Sequence, residues 1–466
     1  MATIAQDKPL FHLTIQEAQK LIQGGALSPV DLTRAFLTRI EAVDGKLHAY
    51  LNLMADSALA EARVAEAEIR QGHYRGALHG IPVAVKDQLD VEGAPALIRK
   101  KDSGPIPASE DSTAVHKLRR AGAVIFGKLA MSGLPGDPPQ ALNPWNLDHV
   151  TGGSSTGPGA AVAAGLCMGA LGEDTAGSIR NPASLCGIVG LKPTYGRVSR
   201  YGLAPLSWSL DHCGPMTWVV EDAAHLLQAV AGYDPKDSTS SRAPVPDYTR
   251  TLTDEIKGMV IGVPRRYIDE CRAGTDPEIL TLVEKAIKEL ESLGARVEEV
   301  VLPALRLATS ANAVIYFNEY FTAQKNDVPR LLKSAATSRR GRLYLGMLTG
   351  AADYIQAQRI RSRVKREFAE VFSKVDLLAL PAQPGAAPTA KESDPLDTLF
   401  KQLAPDFVSP FNLAGLPAIS IPCGFNRAGL PVALQLAGKP FDEPTVLRAA
   451  YAYQQHMRWY EKRPPI

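Results

Sequence analysis

Apolar positions recur at helical spacing through the N-terminal stretch. Thr14-Ile-Gln-Glu17 has the form of a capping box, and Ala18, Leu21 and Ile22 follow on one face. Ser28-Pro29-Val-Asp31 opens a second helix, with proline tolerated in the first turn and Leu32, Phe36 and Ile40 on one side. A third, alanine-rich amphipathic helix spans about residues 56–71. Short apolar runs then alternate with helical patterns. Buried strands are expected at residues 80–86, 123–126, 259–263, 297–302, 375–381 and 418–422. Helices are expected at 114–121, from Asp276-Pro277 to Gly294, and at 359–372. This β-α-β alternation predicts an α/β fold whose sheet carries helices on its faces.

The chain has no internal repeat and no clear interdomain linker, and residues 234–246 are the best candidate boundary. We read residues 1–466 as one domain with a helical layer at about 10–72 and a motif region at about 80–215. The C-terminal half, about 250–466, completes the sheet and supplies substrate-facing loops. The loop from Leu129 to Val150 is polar, proline-containing and long enough to cover a site.

The densest pattern lies between Thr151 and Lys192. Two glycine–serine clusters, Gly153-Ser154-Ser155 and Ala176-Gly177-Ser178, flank a run of small and apolar residues. Such clusters are commonly linkers, but linkers are not followed by AVAAGL and LCGIVGL. The reading is a buried active site.

Composition narrows the alternatives. With 45% hydrophobic and 21% charged residues the chain can bury a sizeable core. Lys and Arg number 51 against 49 Asp and Glu, a net charge of +2, which argues against nucleic acid or an acidic membrane held by bulk charge. The N-terminus lacks a secretory pattern, and no apolar run is long enough to span a bilayer. The 5 cysteines are scattered without a CxxC, as expected of reduced thiols in a cytoplasmic protein. The 9 histidines show no ligand spacing, so neither a metal nor another cofactor is expected.

Residues 153–157, GSSTG, match the GxSxG nucleophile elbow literally, but that elbow needs a buried strand before it. Here NPWNLDH precedes it, which is loop chemistry, and no later histidine is marked as the base. Serine with lysine is the stronger pairing. A serine hydroxyl is a poor nucleophile until a base takes its proton. A lysine serves only as the neutral amine, which near neutral pH asks for roughly 4 kcal/mol of destabilisation of the ammonium. Apolar walls are the usual means, and Val83-Ala-Val85 before Lys86 offers them. A second serine can relay the proton. Backbone N–H groups of Thr175, Ala176, Gly177 and Ser178 suit an oxyanion hole.

GIPVAVKD (80–87), GGSS (152–155), DTAGSIR (174–180) and GIVGLKPT (187–194) together resemble the amidase signature family. AVIFGK (123–128), LDHCGP (210–215) and NLAGLP (412–417) extend the resemblance over most of the chain. It implies a single large domain with a central mixed, mostly parallel, twisted sheet covered by helices on both faces. It further implies Ser178 as nucleophile, Ser154 as relay after a cis peptide, and Lys86 as base, with an acyl-enzyme on Ser178 hydrolysed by water. The chain departs from the family pattern at Thr156, Pro158, Ala176 and Glu173, the last adding a carboxylate beside the nucleophile or pointing away from it.

Family members cleave fatty-acid amides, aryl amides, carbamates and related bonds, and one branch transfers ammonia to misacylated tRNA. The A subunit of that branch usually carries an Asn-Leu-x-Arg-Tyr-Asp element, absent from ANAVIYFNEYFTAQKND at 311–327. The expectation is therefore a free-standing hydrolase of a neutral amide, anilide or carbamate. Met131, Gly153, Trp208, Tyr316 and Phe317 are its expected substrate contacts, within a wider aromatic set of Trp145, Tyr320 and Phe321. Its partner would be a small molecule, without nucleic acid or membrane, and self-association into a homodimer is left open. The alternatives are the glutamine amidase (A) subunit of a tRNA-dependent amidotransferase, or a non-catalytic subunit on the same fold.

Overall fold

The computed structural model describes residues 8–101, 104–134, 140–334, 337–391 and 406–466. The N-terminal segment read for targeting and residues 135–139 of the Leu129–Val150 loop lie partly or wholly outside them.

The helices begin where local chemistry starts them. Thr14 Oγ1 accepts from Glu17 N at 3.1 Å and Glu17 Oε2 accepts from Thr14 N at 2.7 Å, closing the capping box of helix Ile15–Gln23. Ser28 caps helix Pro29–Leu47 through the N–H groups of Val30 and Asp31. Helix Ala55–Arg70 completes this N-terminal layer.

One sheet runs through the chain. Its eleven strands among the described residues are β1 (Tyr50–Leu53), β2 (Pro82–Lys86), β3 (Val124–Leu129), β4 (Gly169–Asp174), β5 (Val189–Lys192), β6 (His212–Thr217), β7 (Val260–Val263), β8 (Arg296–Glu299), β9 (Leu377–Pro381), β10 (Ala418–Phe425) and β11 (Pro431–Gly438). Their spatial order is β1-β3-β2-β4-β6-β5-β10-β11-β9-β7-β8. The sheet is mixed, as expected. Its parallel pairs form two blocks, β3-β2-β4 and β9-β7-β8, joined through antiparallel neighbours.

Both faces are buried, and the alternation along single strands shows it. Leu377 and Ala379 of β9 face one apolar core, while Leu378 and Leu380 face the other. The first core holds the N-terminal helices, helix Pro277–Ser292 and helix Glu443–Met457; the second holds helices Leu305–Gln324, Thr337–Leu348 and Ala351–Phe372. The basic pattern at 359–372 is thus the latter part of a longer helix, with Val364, Phe368 and Phe372 buried.

The segment 234–246 is anchored. Asp234 accepts from Thr113 Oγ1 at 2.6 Å and Ser199 Oγ at 2.5 Å, and Asp237 accepts from Arg200 N at 2.8 Å. Among the described residues no helix is long and apolar enough to cross a membrane.

Candidate active site

The parallel pair β2–β4 brings Val85 opposite Leu171, so Lys86 and Glu173 both emerge at the carboxyl ends of adjacent strands. Crevices at such strand ends are where open α/β sheets present their functional groups. Lys86 is fully buried. Its Nζ donates to Ser154 Oγ at 2.8 Å, to the Glu173 carbonyl at 3.3 Å and to Glu173 Oε2 at 2.9 Å.

Ser154 stands just before helix Thr156–Ala163, behind a cis Gly153–Ser154 peptide. Every residue of that helix is buried, the mark of a helix packed on all sides. A Cβ at Gly157 would lie 2.3 Å from Ala130 N and 2.5 Å from Ala49 O, so the helix start is pressed against the end of β3. Pro158 falls in the first turn, where an N–H has no intrahelical acceptor, so this departure from the family pattern removes no helix bond. Ser132 N donates to the Ser154 carbonyl at 3.1 Å, and Ser155 N donates to the Ser178 carbonyl at 3.3 Å. These bonds tie the Ser154 segment to the Ser178 turn. Ser154 and Ser178 are part-exposed, whereas Lys86 is buried.

The turn Asp174–Ser178 is built on a carboxylate the sequence reading left without a role. Asp174 Oδ1 accepts from Gly177 N at 2.7 Å and Oδ2 from Ile179 N at 3.1 Å. Arg180 closes on the same carboxylate through Nε and Nη2, each at 3.1 Å, and Asn412 Nδ2 adds a bond at 2.8 Å. Burial alone would raise this carboxyl; Arg180, its hydrogen bonds and Lys192 together hold it well below the ordinary carboxylate range. The left-handed residue of the turn is Gly177, at φ +106°, where a Cβ would meet Asn181 Oδ1 and Val408 Cγ2, both at 2.6 Å. Ala176 is not left-handed, so its Cβ is accommodated without strain.

This geometry corrects the donor set drawn from the sequence. The Gly177 N–H is spent on Asp174 and is not free to face a ligand. The N–H groups of Thr175, Ala176 and Ser178 carry no hydrogen bond to the described residues.

The expected substrate contacts divide. Gly153 lies against Ser132, whose Oγ would be 2.9 Å from a Cβ there, and Met131 is the buried neighbour of that serine. Tyr316 is buried, with its phenol pushed up chiefly by burial and further by Tyr320 and Glu173, against the lowering pull of Arg342. Phe317 is core: a Cβ on Gly346 would sit 2.3 Å from its carbonyl oxygen. Trp208 is 56% exposed and lines a cavity of about 200 Å³ with Arg200, Leu203, Lys236, Asp237 and Asp211, whose Oδ1 lies 2.8 Å from Thr175 Oγ1 of the Ser178 turn. Trp145 donates from Nε1 to the Cys186 carbonyl at 2.8 Å and belongs to the core.

The family model described as Amidase matches residues 31–447. The chain belongs to the amidase family. Its relatives include the Moorella thermoacetica A subunit of glutamyl-tRNA(Gln) amidotransferase, 42% identical over 98% of this chain and 99% of that one. Among solved structures, a chain of a vestigial protein complex tied to the evolutionary origins of an s-triazine catabolic enzyme is 32% identical, with a TM-score of 0.88 over 95% of this chain and 98% of that one. The Thermotoga maritima A subunit of glutamyl-tRNA(Gln) amidotransferase is likewise 32% identical, with a TM-score of 0.81 over 96% of each.

These relatives correct two expectations about this amidase. The expectation of a free-standing hydrolase of neutral amides, anilides or carbamates leans on an element missing from 311–327, a stretch that lies mostly in helix Leu305–Gln324. Identity to A subunits spread over 98% of the chain outweighs that local absence. The exclusion of nucleic acid fails with it, because a net charge of +2 sums over the whole surface and is blind to an RNA held locally or by another subunit.

Proposed function

We propose that this amidase is the A subunit of a glutamyl-tRNA(Gln) amidotransferase, releasing ammonia from the side-chain amide of glutamine for transfer to misacylated tRNA. The observation that carries the reading is the 42% identity to such a subunit along nearly the full length of both chains. The geometry supports a serine mechanism for the amide step. Ser178 Oγ attacks the carboxamide carbon while its proton passes to Ser154 and from there toward Lys86, whose Nζ lies 2.8 Å from Ser154 Oγ. The oxyanion is held by N–H groups of the Thr175–Ser178 turn other than Gly177. Return of the proton through Ser154 expels ammonia, and water then hydrolyses the acyl-enzyme by the same relay.

The test is glutamate and ammonia release from glutamine, with and without the partner subunits and glutamyl-tRNA(Gln). The native chain is expected to turn over glutamine and to support amidation of the tRNA in the assembly. Ser178→Ala is expected to lose roughly 10³-fold or more of the glutaminase rate. Amidation of the tRNA from glutamine by an assembly containing Ser178→Ala at the native rate would sink the assignment.

A further inference from the structure

We propose that Glu173 is a positioning residue that holds the proton of Lys86, so that the pair serves as the base without exchanging a proton with solvent. This rests on Lys86 acting as base, and not on glutamine being the substrate.

Glu173 is fully buried and is bonded on both oxygens. Its Oε2 lies 2.9 Å from Lys86 Nζ, and its Oε1 lies 2.5 Å from Thr175 Oγ1. Thr175 Oγ1 is in turn 2.8 Å from Asp211 Oδ1. A hydroxyl carries one hydrogen, so it cannot donate to two carboxylates, and one of the flanking carboxyls must donate to it. Asp211 fills that role. Burial, and then the charge of Glu173, push its carboxyl well above the ordinary range, although it accepts from the N–H groups of Leu206 and Ser207. The chain of donors therefore runs from Asp211 to Thr175 to Glu173, leaving Glu173 as the acceptor that faces Lys86.

The other groups facing this pair carry no competing charge of their own. Cys213, paired with Glu173 across β6 and β4, has its thiol pushed up to about 12 by burial and then by Glu173. The Tyr316 phenol is also pushed up, chiefly by burial. Arg342 stands beyond Tyr316, with its guanidinium 5.6 Å from that ring centre, and the charge of Arg200 acts on Asp211. Lys128 pairs with Asp87 at 3.8 Å on the neighbouring strands.

An ammonium at Lys86 directs its three hydrogens at Ser154 Oγ, the Glu173 carbonyl and Glu173 Oε2, and in that state it has no lone pair for a serine proton. Transfer of one proton from Nζ to Oε2 leaves an amine and a carboxylic acid, with no change in the net charge of a dry site. The amine then takes the Ser154 proton as Ser154 takes that of Ser178, and the Ser178 Oγ–carbon bond forms. When the leaving nitrogen departs it receives a proton back through Ser154. Glu173 returns its own proton to Lys86 when turnover ends.

A base that keeps its proton inside the pair has no acid limb from lysine deprotonation. The experiment is the rate of Ser178 sulfonylation by phenylmethanesulfonyl fluoride on the full chain between about pH 6 and 10. In this reaction the Ser178 Oγ–sulfur bond forms, fluoride leaves, and the serine proton follows the same relay. Ser178→Ala sets the background. The native rate is expected to stay flat within about twofold, while Glu173→Gln is expected to show an acid limb that climbs about tenfold per pH unit and then levels off at higher pH. Alkaline recovery is what a merely structural defect would not produce. Glu173→Ser, checked by thermal melting, carries the comparison if the glutamine variant does not fold. A native rate that itself climbs about tenfold per unit, or variant profiles that superimpose on the native one, overturns the proposal. Absence of native labelling at every pH overturns it together with the serine mechanism, whereas failure on glutamine alone leaves it standing.

Discussion

At the scale of single residues, the site depends on a carboxylate that touches no expected reaction partner. Asp174 orients the Ser178 turn through the N–H groups of Gly177 and Ile179 and is locked by Arg180, itself bonded to Gln435 Oε1 at 2.7 Å and to Asn412. Removing its charge leaves Arg180 buried without a counter-ion, which typically costs about 3–5 kcal/mol. Asp174→Asn is therefore expected to lower unfolding stability by that order at pH 7 in urea titrations. The sign with pH follows from its depressed carboxyl. A group held low in the folded state stabilises above its unfolded value near 3.8 and loses that contribution as pH falls toward the folded one. The difference between native and variant should shrink below about pH 4. A gap that persists unchanged in acid would contradict this assignment. The DTAGSIR string made the turn legible, since small residues beside a serine announce a close approach. It did not reveal what Asp174 or Glu173 faces, because adjacent strand residues point to opposite faces and the neighbour across each depends on register.

At the scale of elements, the helical layer was readable from caps and periodicity, while its docking was not. Helix Ile15–Gln23 is fastened to helix Val220–Val230 by Ile15 N donating to Asp222 Oδ1 at 3.0 Å, across 207 residues of chain. Asp222 is buried, and burial raises its carboxyl from 3.8 to about 8. A carboxyl raised on folding is favoured as the acid, so stability is lost as pH rises from the unfolded value toward the folded one. Asp222→Asn keeps the acceptor for Ile15 and removes the titration. The variant is expected to gain on the order of a few kcal/mol over the native chain at pH 8 and little at pH 4. Melting temperatures at the two pH values check it, and an equal shift at both would refute it. Strand edges also moved: β3 extends to Leu129, beyond the apolar run, because Gly127 and Lys128 continue its pairing with β1. Helix Leu305–Gln324 escaped the reading because it is buried along much of its length and shows little amphipathic contrast.

At the scale of the whole molecule, the motif region and the C-terminal half share one sheet and one polar network. β5 of the motif region pairs with β10 through Leu191–Ile419, and Arg180 reaches Val408, Asn412 and Gln435 across more than 200 residues. A fragment ending near residue 255 would expose β5 as an open edge and leave Arg180 with only Asp174. Such a fragment is expected to aggregate, to show no cooperative melting transition and to take up no sulfonyl label. A soluble, label-competent fragment would show that the motif region folds alone.

The sequence by itself determined the α/β class, the helix starts, the family resemblance and the small-residue turns. These are local properties: caps, periodicity and glycine spacing act within a few residues and survive without a partner. Only the tertiary structure decided that the Glu173 carboxylate faces Lys86, that Asp174 consumes the Gly177 N–H, and that Phe317 and Trp145 belong to the core. Each of those depends on which strand lies beside which and in what register. Residues hundreds of positions apart set that register together, and no local pattern encodes it.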